Sequence, residues 1–292
     1  MSHRSGFVNI LGNPNVGKST IMNSLVGEKL SIITSKAQTT RHRIMGIVNG
    51  EDFQIVYSDT PGIIKPRYKL QETMMKFINV ALDDADLIIY VTAVTEKKGD
   101  RNEILDKISK LSIPVIIVIN KIDLSNQDEL EKIAGEWKND FPESPVIAVS
   151  ALNGFNLDIL LNTVKGKLPE CPPYFPKDQL TDKYERFFAS EIIREKILVN
   201  YEKEIPYSVE IETESFKEEK ELIRIRALIH VARDSQKGII IGHRGEKLKK
   251  VGTAARKDME DFFRKKVFLE MYVKVNKDWR DKPLELRRFG YR

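Results

Sequence analysis

Gly12, Gly17, Lys18 and Ser19 stand at the spacing G-x-x-x-x-G-K-[ST], after an apolar run and before a helix-like stretch. Glycines at these positions let consecutive backbone N–H groups turn inward on a polyphosphate. The lysine would bridge the β and γ phosphates, and the hydroxyl would hold a Mg²⁺ shared with the nucleotide. The predicted contacts of this nucleotide site are Gly12, Asn13, Pro14, Asn15, Val16, Gly17, Lys18, Ser19 and Thr20.

Asp59, Thr60, Pro61 and Gly62 follow a second apolar run. A carboxylate at the end of a strand can hold Mg²⁺ through water, and the N–H of Gly62 can reach a γ-phosphate. Alone, an acidic turn with Pro and Gly is more often a plain turn than a metal site. Beside the phosphate-binding pattern, however, the motif makes Asp59 and Ser19 predicted magnesium ligands.

Asn120, Lys121 and Asp123 follow a third apolar run and indicate which base is bound. The carboxylate of Asp123 can accept hydrogen bonds from N1–H and the 2-amino group of guanine. Adenine lacks that edge and would leave the acceptor unpaired. Lys121 can lie over the base, and Asn120 can tie this loop to the phosphate loop.

Ser150, Ala151 and Leu152 follow the last apolar run and could offer a backbone N–H to the guanine O6. Such a tripeptide is nearly uninformative by itself. The four motifs nevertheless arrive in one order, each at the end of an apolar run, with the separations of a single domain. Together they predict a guanine-nucleotide site.

The elements that would position these motifs alternate along the first part of the chain. Short, β-branched, nearly continuous apolar runs predict strands buried on both faces, at residues 7–11, 44–48, 53–57, 87–91, 115–119 and 146–149. Helical patterns occupy about residues 20–26, 70–84, 102–111, 128–140 and 156–166. We therefore expect an α/β fold with a mostly parallel, doubly wound sheet and a ligand beyond the carboxyl ends of its strands.

Length and composition favour two globular domains. The chain has 292 residues, 31% charged and 41% hydrophobic, which is enough for two separate cores. The only cysteine, Cys171, excludes an internal disulfide and a cysteine metal cluster, as suits a reducing compartment. No apolar run reaches the roughly 18 residues that span a bilayer, and no signal peptide is visible. The expected location is cytoplasmic.

Four prolines within eight residues, at 169, 172, 173 and 176, predict a semi-rigid linker. The expected organisation is a first domain at residues 1–170, a linker at 171–185 and a second domain at 186–292. The second domain would contain a helix near 190–201, strands at 207–214 and 222–231, a glycine-containing loop, a helix at 246–265 and a strand at 267–275.

Net charge is +5 for the whole chain, but the excess is concentrated near its end. Residues 1–170 carry −1 and residues 171–292 carry +6, which add to the total of +5. Residues 233–292 hold 18 Lys and Arg against 9 Asp and Glu. A basic segment of this kind predicts a polyanionic partner, either a nucleic acid or an anionic membrane face.

Gly242, His243, Arg244 and Gly245 resemble the G-x-x-G loop of KH domains, which clamps about four nucleotides of single-stranded nucleic acid. The loop alone is weak evidence, but the surrounding order of elements resembles a KH domain of the bacterial type (type II, α+β). The residues expected to meet RNA are Gly242, His243, Arg244, Gly245, Lys247, Lys249 and Lys250. Apolar residues expected to form a groove for the bases are Ile240, Ile241, Leu248 and Val251.

The motifs, the linker and the closing segment from Asp278 to Tyr291 together resemble the Era family of translation-factor-related GTPases over essentially the whole chain. The resemblance implies a P-loop GTPase domain followed by a KH domain, with GTP or GDP and Mg²⁺ as ligands. It also implies binding near the 3′ end of small-subunit ribosomal RNA, a role in assembly of that subunit, and loose peripheral contact with the inner membrane face. We expect a monomer.

The same resemblance assigns switch residues. Residues 37–42 are similar to the first switch, in which a threonine closes on Mg²⁺; Thr40 is the expected ligand and Thr39 the alternative. Ile63 stands where Ras-like enzymes place a glutamine that orients water, and isoleucine cannot do so. No catalytic residue is therefore assigned. Asn15 matches an asparagine that can coordinate K⁺ beside the phosphates, and a loop-stabilising role is the alternative.

Three functions remain open from the sequence. The first is a switch enzyme that hydrolyses GTP and regulates docking on pre-ribosomal RNA. The second is a nucleotide-gated RNA-binding module with negligible hydrolysis, which Ile63 keeps open. The third is a membrane-surface signalling GTPase whose basic domain meets anionic lipid. The G-x-x-G loop favours RNA over lipid.

Overall fold

The computed structural model describes residues 3–96 and 103–291. They group into two compact units. The first contains the residues up to Lys65 together with Met74–Asp182, and the second contains Pro66–Thr73 together with the residues from Lys183 onward. Each unit has its own sheet and core.

In the first unit, strands and helices alternate. The strands are β1 Arg4–Leu11, β2 Ile44–Asn49, β3 Phe53–Asp59, β4 Leu87–Ala93, β5 Val115–Asn120 and β6 Val146–Ala148. The helices are α1 Lys18–Val26, α2 Lys69–Asp83, of which the part from Met74 onward groups with this unit, α3 Glu103–Ile108, α4 Gln127–Asp140 and α5 Leu157–Lys167. Asn102, where the sequence predicted that a helix begins, lies outside the described residues.

The six strands form one sheet in the order β2-β3-β1-β4-β5-β6. All neighbouring pairs are parallel except β2 with β3, which are antiparallel. Every residue of β4 and β5 is buried, which explains why these strands read as continuous apolar runs rather than alternating ones. The predicted doubly wound sheet is confirmed. Strand β1 lies between β3 and β4, so the order of the strands changes direction at β1. A ligand crevice is therefore expected at the carboxyl end of β1.

Residues 174–182, which we call the edge segment, run along β2 and β3 rather than standing free of the first unit. The side chain of Gln54 accepts from the backbone N–H groups of Tyr174 at 2.7 Å and Phe175 at 2.9 Å. The N–H of Ile47 donates to the carbonyl of Leu180 at 2.8 Å, and Thr181 forms an isolated antiparallel bridge with Gly46. The prolines thus mark an extended segment that adds to the open side of β2.

The second unit contains a three-stranded sheet with helices against it. Its elements are α6 Glu185–Asn200, β7 Val209–Glu218, β8 Leu222–Val231, α7 Asp234–Ile241, α8 Glu246–Phe263, β9 Lys266–Val275 and α9 Pro283–Arg288. The strand order is β7-β8-β9, with β7 antiparallel and β9 parallel to β8. Alternation in β8 shows the two faces clearly: Ile223 and Ile225 are buried in the core, whereas Arg224 and Arg226 are exposed.

In the second unit, α6 and β7 are the two predicted elements whose boundaries differ most from the sequence prediction. Helix α6 begins at Glu185 rather than near Ser190, and Tyr184 before it supplies no side-chain cap, so the sequence carries no start signal. Strand β7 begins after a 3₁₀ turn at Ile205–Tyr207 and continues to Glu218. An irregularity between Thr213 and Ser215 interrupts the two-residue alternation of β7, so the sequence pattern did not predict the second half of the strand.

The closing segment forms structure that the sequence analysis assigned to no element. A 3₁₀ turn at Trp279–Asp281 precedes α9. The indole of Trp279 is fully buried and donates to the carbonyl of Ser208 at 3.1 Å, and the hydroxyl of Tyr291 donates to Glu210 at 2.8 Å. These contacts fix the C-terminal residues to the second unit.

None of the helices in the described part of the chain is both long and apolar enough to cross a lipid bilayer.

Candidate nucleotide and nucleic-acid sites

The phosphate loop joins β1 to α1 at the carboxyl edge of the sheet. Gly12 and Gly17 have φ angles of +147° and +99°, which favour glycine. Space adds a second requirement: a Cβ on Gly12 would lie 2.2 Å from the carbonyl oxygen of Val91, and a Cβ on Gly17 would lie 2.2 Å from Nδ2 of Asn120. Both glycines are therefore fixed by the neighbouring strand ends as well as by backbone conformation.

Lys18 lies under this loop with only 6% of its surface exposed. Its ammonium donates to the carbonyls of Gly12 at 3.1 Å and Asn13 at 2.9 Å. Burial lowers the pKa of Lys18 to about 8, although the carboxylates of Asp59 and Glu96 oppose that change. The ammonium is thus held inside the loop that would surround the phosphates.

Ser19, Thr40 and Asp59 come together from three different segments. The hydroxyl oxygens of Ser19 and Thr40 lie 2.9 Å apart, and they donate to Oδ2 of Asp59 at 2.6 Å and 3.1 Å. Burial raises the pKa of Asp59, while Lys18 and the hydroxyl hydrogen bonds act in the opposite direction. Two hydroxyls and a buried carboxylate are oxygen ligands of the kind that Mg²⁺ prefers, so these three residues fit the expected ion.

The alternative switch threonine occupies a different position. Oγ1 of Thr39 lies 2.7 Å from Oγ1 of Thr34 and donates to the carbonyl of Lys36 at 2.6 Å. Asn15 has a positive φ of 64°, and its side chain donates to the carbonyl of Ser35 at 3.1 Å. The structure therefore brings Thr40, rather than Thr39, to Ser19 and Asp59, and it places Asn15 against Ser35, just before the segment predicted to be the first switch.

The second motif lies against the phosphate loop. Thr60 donates to the carbonyl of Ile10 at 2.7 Å, and a Cβ on Gly62 would lie 2.8 Å from atoms of Pro14. The N–H of Ile63 donates to the carbonyl of Gly12 at 3.1 Å, and its side chain is part of a buried apolar cluster. The Ile63 side chain packs in the core, so it cannot orient a water molecule by position or by chemistry.

The base-recognition motif links several loops. Nδ2 of Asn120 donates to the carbonyl of Val16 at 2.8 Å, and Oδ1 of the same side chain accepts from the N–H of Ala151 at 3.0 Å. Oδ1 of Asp123 accepts from the hydroxyl of Ser150 at 2.6 Å. Asn120 thus ties the base loop to the phosphate loop, as the sequence predicted.

An open cleft of about 440 Å³ runs over these motifs, which is a volume typical of ligand sites. Its walls include predicted residues, among them Pro14, Lys18, Thr40, Gly62 and Lys121. They also include Gln38 of the predicted first switch and four residues that the sequence analysis did not assign, namely Ile32, Ile33, Thr34 and Ser35. Of the predicted base contacts, Lys121 lines this cleft, whereas Asp123 and Ser150 line a separate open depression. Leu152 is 81% exposed and lines neither.

In the second unit, the G-x-x-G loop forms a tight turn between α7 and α8. Gly242, Arg244 and Gly245 have φ angles of +72°, +48° and +80°. A Cβ on Gly242 would lie 2.8 Å from the side chain of Lys247, so the loop also needs glycine there for space. His243 and Arg244 are exposed at its tip.

Helix α8 continues the basic surface. Its exposed cations are Lys247, Lys249, Lys250, Arg256 and Lys257. Two of the residues expected to form an apolar groove for bases, Ile240 and Val251, instead lie in the core between helices and sheet. Ile241 and Leu248 are the two members of that set that keep partial exposure.

The first unit is the P-loop fold of a GTPase, and the second has the order of elements of a KH domain. Family models agree: the 50S ribosome-binding GTPase family matches residues 7–121, and the KH domain family matches residues 204–280.

The chain is 43% identical to GTPase Era of Alkaliphilus metalliredigens (strain QYMF) over 100% of both chains. It is 45% identical to GTPase Era of Staphylococcus haemolyticus (strain JCSC1435) over 99% of this chain and 97% of that one. A crystal structure of Era in complex with MgGDPNP and nucleotides 1506–1542 of 16S ribosomal RNA superposes with a TM-score of 0.94 at 39% identity, with 99% of both chains covered. A variant of Aquifex aeolicus Era bound to GDP·AlF4⁻ gives the same values. The chain belongs to the Era family and is a GTPase.

Proposed function

We propose that this protein binds and hydrolyses GTP in the cleft beside the phosphate loop and uses the bound nucleotide to regulate docking on small-subunit ribosomal RNA. The observation that carries the proposal is the convergence of Ser19, Thr40 and Asp59 beside Lys18. The two hydroxyl oxygens and Oδ2 of the carboxylate lie within 3.1 Å of one another. A solved Era structure that contains MgGDPNP at 39% identity supports the same ligands.

In this proposal, Lys18 contacts the β and γ phosphates, and backbone N–H groups of residues 13–19 surround them. The oxygens of Ser19, Thr40 and Asp59 hold Mg²⁺, which neutralises phosphate charge when it is bound. Asp123 reads the guanine edge, while Lys121 and residues 150–152 complete the base site. Asn120 holds these loops together through its two hydrogen bonds.

Replacing Lys18 by Ala tests the site. The change removes a buried charged contact, so GTP affinity should fall by roughly 100-fold. Isothermal titration at fixed Mg²⁺ measures it, and circular dichroism checks that the variant is folded. The matched control is Lys132→Ala, at an exposed lysine on α4. Unchanged GTP affinity in a folded Lys18→Ala protein would contradict the assignment.

No side chain in the cleft is assigned as a catalytic base, because Ile63 is buried in the core. We propose that hydrolysis depends on phosphate-loop electrostatics and on K⁺ held near Asn15, whose side chain lies between the phosphate loop and Ser35. Hydrolysis should then be faster in K⁺ than in Na⁺ at equal ionic strength, and Asn15→Ala should remove the difference. Equal rates in both salts would leave Asn15 a loop-stabilising role.

We propose that the partner of the second unit is ribosomal RNA near the 3′ end of the small subunit, with a role in assembly of that subunit. The exposed tip at His243 and Arg244, followed by the basic face of α8, supports a phosphodiester ligand. The solved Era complex with nucleotides 1506–1542 of 16S ribosomal RNA supports its identity. A synthetic RNA of that region should bind more tightly than a scrambled RNA of equal length.

If GTP regulates RNA docking, RNA must change the GTP-to-GDP affinity ratio by the same factor. Titrations of both nucleotides, with and without RNA, measure that factor. Equal RNA affinity in the two nucleotide states would leave two uncoupled modules and remove the switch from the proposal.

A cytoplasmic location follows from the proposed RNA partner. Peripheral contact with an anionic membrane is the second candidate, and the same exposed lysines of α8 favour it. Co-sedimentation with vesicles of phosphatidylglycerol and phosphatidylethanolamine, with and without competing RNA, separates the two. Binding to vesicles that survives excess RNA would support an independent membrane site.

A further inference from the structure

Glu96 lies outside all four motifs, in the turn that follows β4, yet its carboxylate contacts the phosphate loop. Oε1 accepts from Nδ2 of Asn13 at 2.8 Å. Oε2 accepts from the hydroxyl of Thr92 at 2.7 Å and from the N–H of Ala93 at 3.2 Å. The carboxylate is therefore anchored to the end of β4 through one oxygen and holds Asn13 through the other.

The contact reaches the residues that would meet phosphates. Asn13 is the residue whose carbonyl accepts from the ammonium of Lys18 at 2.9 Å. In the same turn, the N–H of Val94 donates to the carbonyl of Asn120 at 3.2 Å. The turn after β4 thus contacts both the beginning of the phosphate loop and the loop for the base.

We propose that Glu96 is a positioning residue of the nucleotide site: by fixing the side chain of Asn13, it fixes the carbonyl that places the ammonium of Lys18 against the β and γ phosphates. This inference rests on the phosphate-loop assignment made above. No motif contains Glu96, and the sequence gives no signal for it, because the contact joins residues 83 positions apart.

Removing the carboxylate should weaken the binding of nucleotides that reach Lys18. Hydrogen bonds to a charged group contribute enough that Glu96→Ala should weaken GDP and GTP binding by about tenfold. GMP has no β-phosphate for Lys18 to contact, so its affinity should remain within about twofold of the wild-type value. General damage to the first unit would instead weaken all three nucleotides alike.

A paired exchange tests the contact itself. Asn13→Asp alone places two carboxylates together and should weaken GDP binding by about tenfold or more. Adding Glu96→Gln supplies an amide donor to the new carboxylate and restores a hydrogen bond in the reverse direction. The double variant should therefore recover most of the affinity that Asn13→Asp loses. A residue that only shapes its own turn would give no such recovery.

The measurements are competition titrations with GTP, GDP and GMP on the full chain, with thermal unfolding to confirm folding. Glu143→Ala, at an exposed glutamate of the same unit, controls for the loss of one negative charge. Equal losses for GMP and GDP, or no recovery in the double variant, would overturn the inference. Lys18→Ala distinguishes failure of the phosphate-loop assignment from failure of the role of Glu96. If Lys18→Ala weakens GTP binding while the Glu96 variants do not, the phosphate-loop assignment stands and only the role of Glu96 is wrong.

Discussion

The nucleotide site and the basic loop of the second unit are built in opposite ways. Lys18, Asp59 and Asn120 are buried and hydrogen-bonded to their neighbours. His243, Arg244 and Lys247, in contrast, are exposed on and beside a glycine turn. One surface holds its polar groups in fixed positions inside the protein, whereas the other presents cations on a short backbone loop.

This difference determines which ligands each surface can discriminate. The carboxylate of Asp123 is held by the hydroxyl of Ser150, and a bound base that lacked the matching donors would leave this carboxylate without a partner, so such a site can discriminate one base from another. Exposed cations near a narrow loop attract any phosphodiester backbone, and their contribution depends on salt. If the second unit binds RNA as proposed, we expect choice among RNA sequences to depend on contacts near the loop glycines and the half-exposed Ile241 and Leu248 rather than on charge.

The largest expected effect tests the fixed site. Asp123→Asn turns an acceptor into a donor, and xanthine carries an acceptor where guanine carries its 2-amino group. Preference for GTP over XTP should therefore reverse, with GTP affinity lowered by at least about 100-fold. Competition between the two nucleotides measures the ratio. Because Asp123 also accepts from Ser150, a Ser150→Ala variant controls for loss of that bond. An unchanged ratio of GTP to XTP affinity would show that Asp123 does not read the base, and the contrast between the two surfaces would then be wrong.

An intermediate effect is expected at the exposed loop. Glutamates at both His243 and Arg244 place two negative charges against the RNA backbone and should weaken RNA binding by about 10-fold to 100-fold. The slope of log affinity against log salt should also become shallower. Fluorescence anisotropy at several salt concentrations measures both.

The matched control carries glutamate at Lys203 and Lys220, two exposed lysines of the same unit outside the loop and α8. GTP affinity should be unchanged in both proteins. Equal loss of RNA binding in the two proteins would show that total charge, rather than the loop, carries the contact.

The smallest effect concerns the sheet that supports the basic loop. Burial lowers the pKa of His230, whose neighbours are Glu212, Arg288 and Lys274. Burial alone would raise the pKa of Glu212, but hydrogen bonds from Arg288 and His230 outweigh it and lower the pKa. With both folded-state values below the unfolded ones, the unfolded chain binds more protons. Stability of the second unit should therefore fall as pH drops below about 6.5.

Urea unfolding at pH 7 and pH 5.5 measures this loss, followed by the fluorescence of Trp279 in a Trp137→Phe background. His230→Gln should flatten the dependence, because glutamine does not titrate. An equal pH dependence in that variant would assign the loss to other carboxylates. Either outcome concerns the stability of the sheet, so this test is independent of the test on the basic loop.

Much of this architecture was readable because the local signals agree with the fold. Each motif of the nucleotide site follows a continuous apolar run, and those runs became β1, β3, β5 and β6 with small shifts at their ends. Spacing within a motif also carries chemistry, so Lys18, Ser19 and Asp59 could be assigned roles before their positions were known. Thr40 required the resemblance to a family, since a threonine in a loop has no signal of its own.

The features that could not be predicted from the sequence are those that depend on long-range contacts. Glu96 meets Asn13 only because β4 lies beside β1 in the sheet. Ile240 and Val251 looked like groove residues, since helical periodicity does not say which neighbour covers an apolar face. The 3₁₀ turn and short helix at the C-terminus lack a periodic pattern, and the buried indole of Trp279 holds them.

The edge segment has a consequence for how this protein could be divided. Strand β2 is the outermost strand of its sheet, and residues 174–182 occupy the side that would otherwise be open. An isolated first unit that ended at Glu170 would leave that row of N–H and C=O groups unpaired, which is a template for edge-to-edge association between molecules. The segment that the sequence predicted to be a linker therefore also covers this edge, and we expect a shortened form that keeps residues through Asp182 to retain the cover.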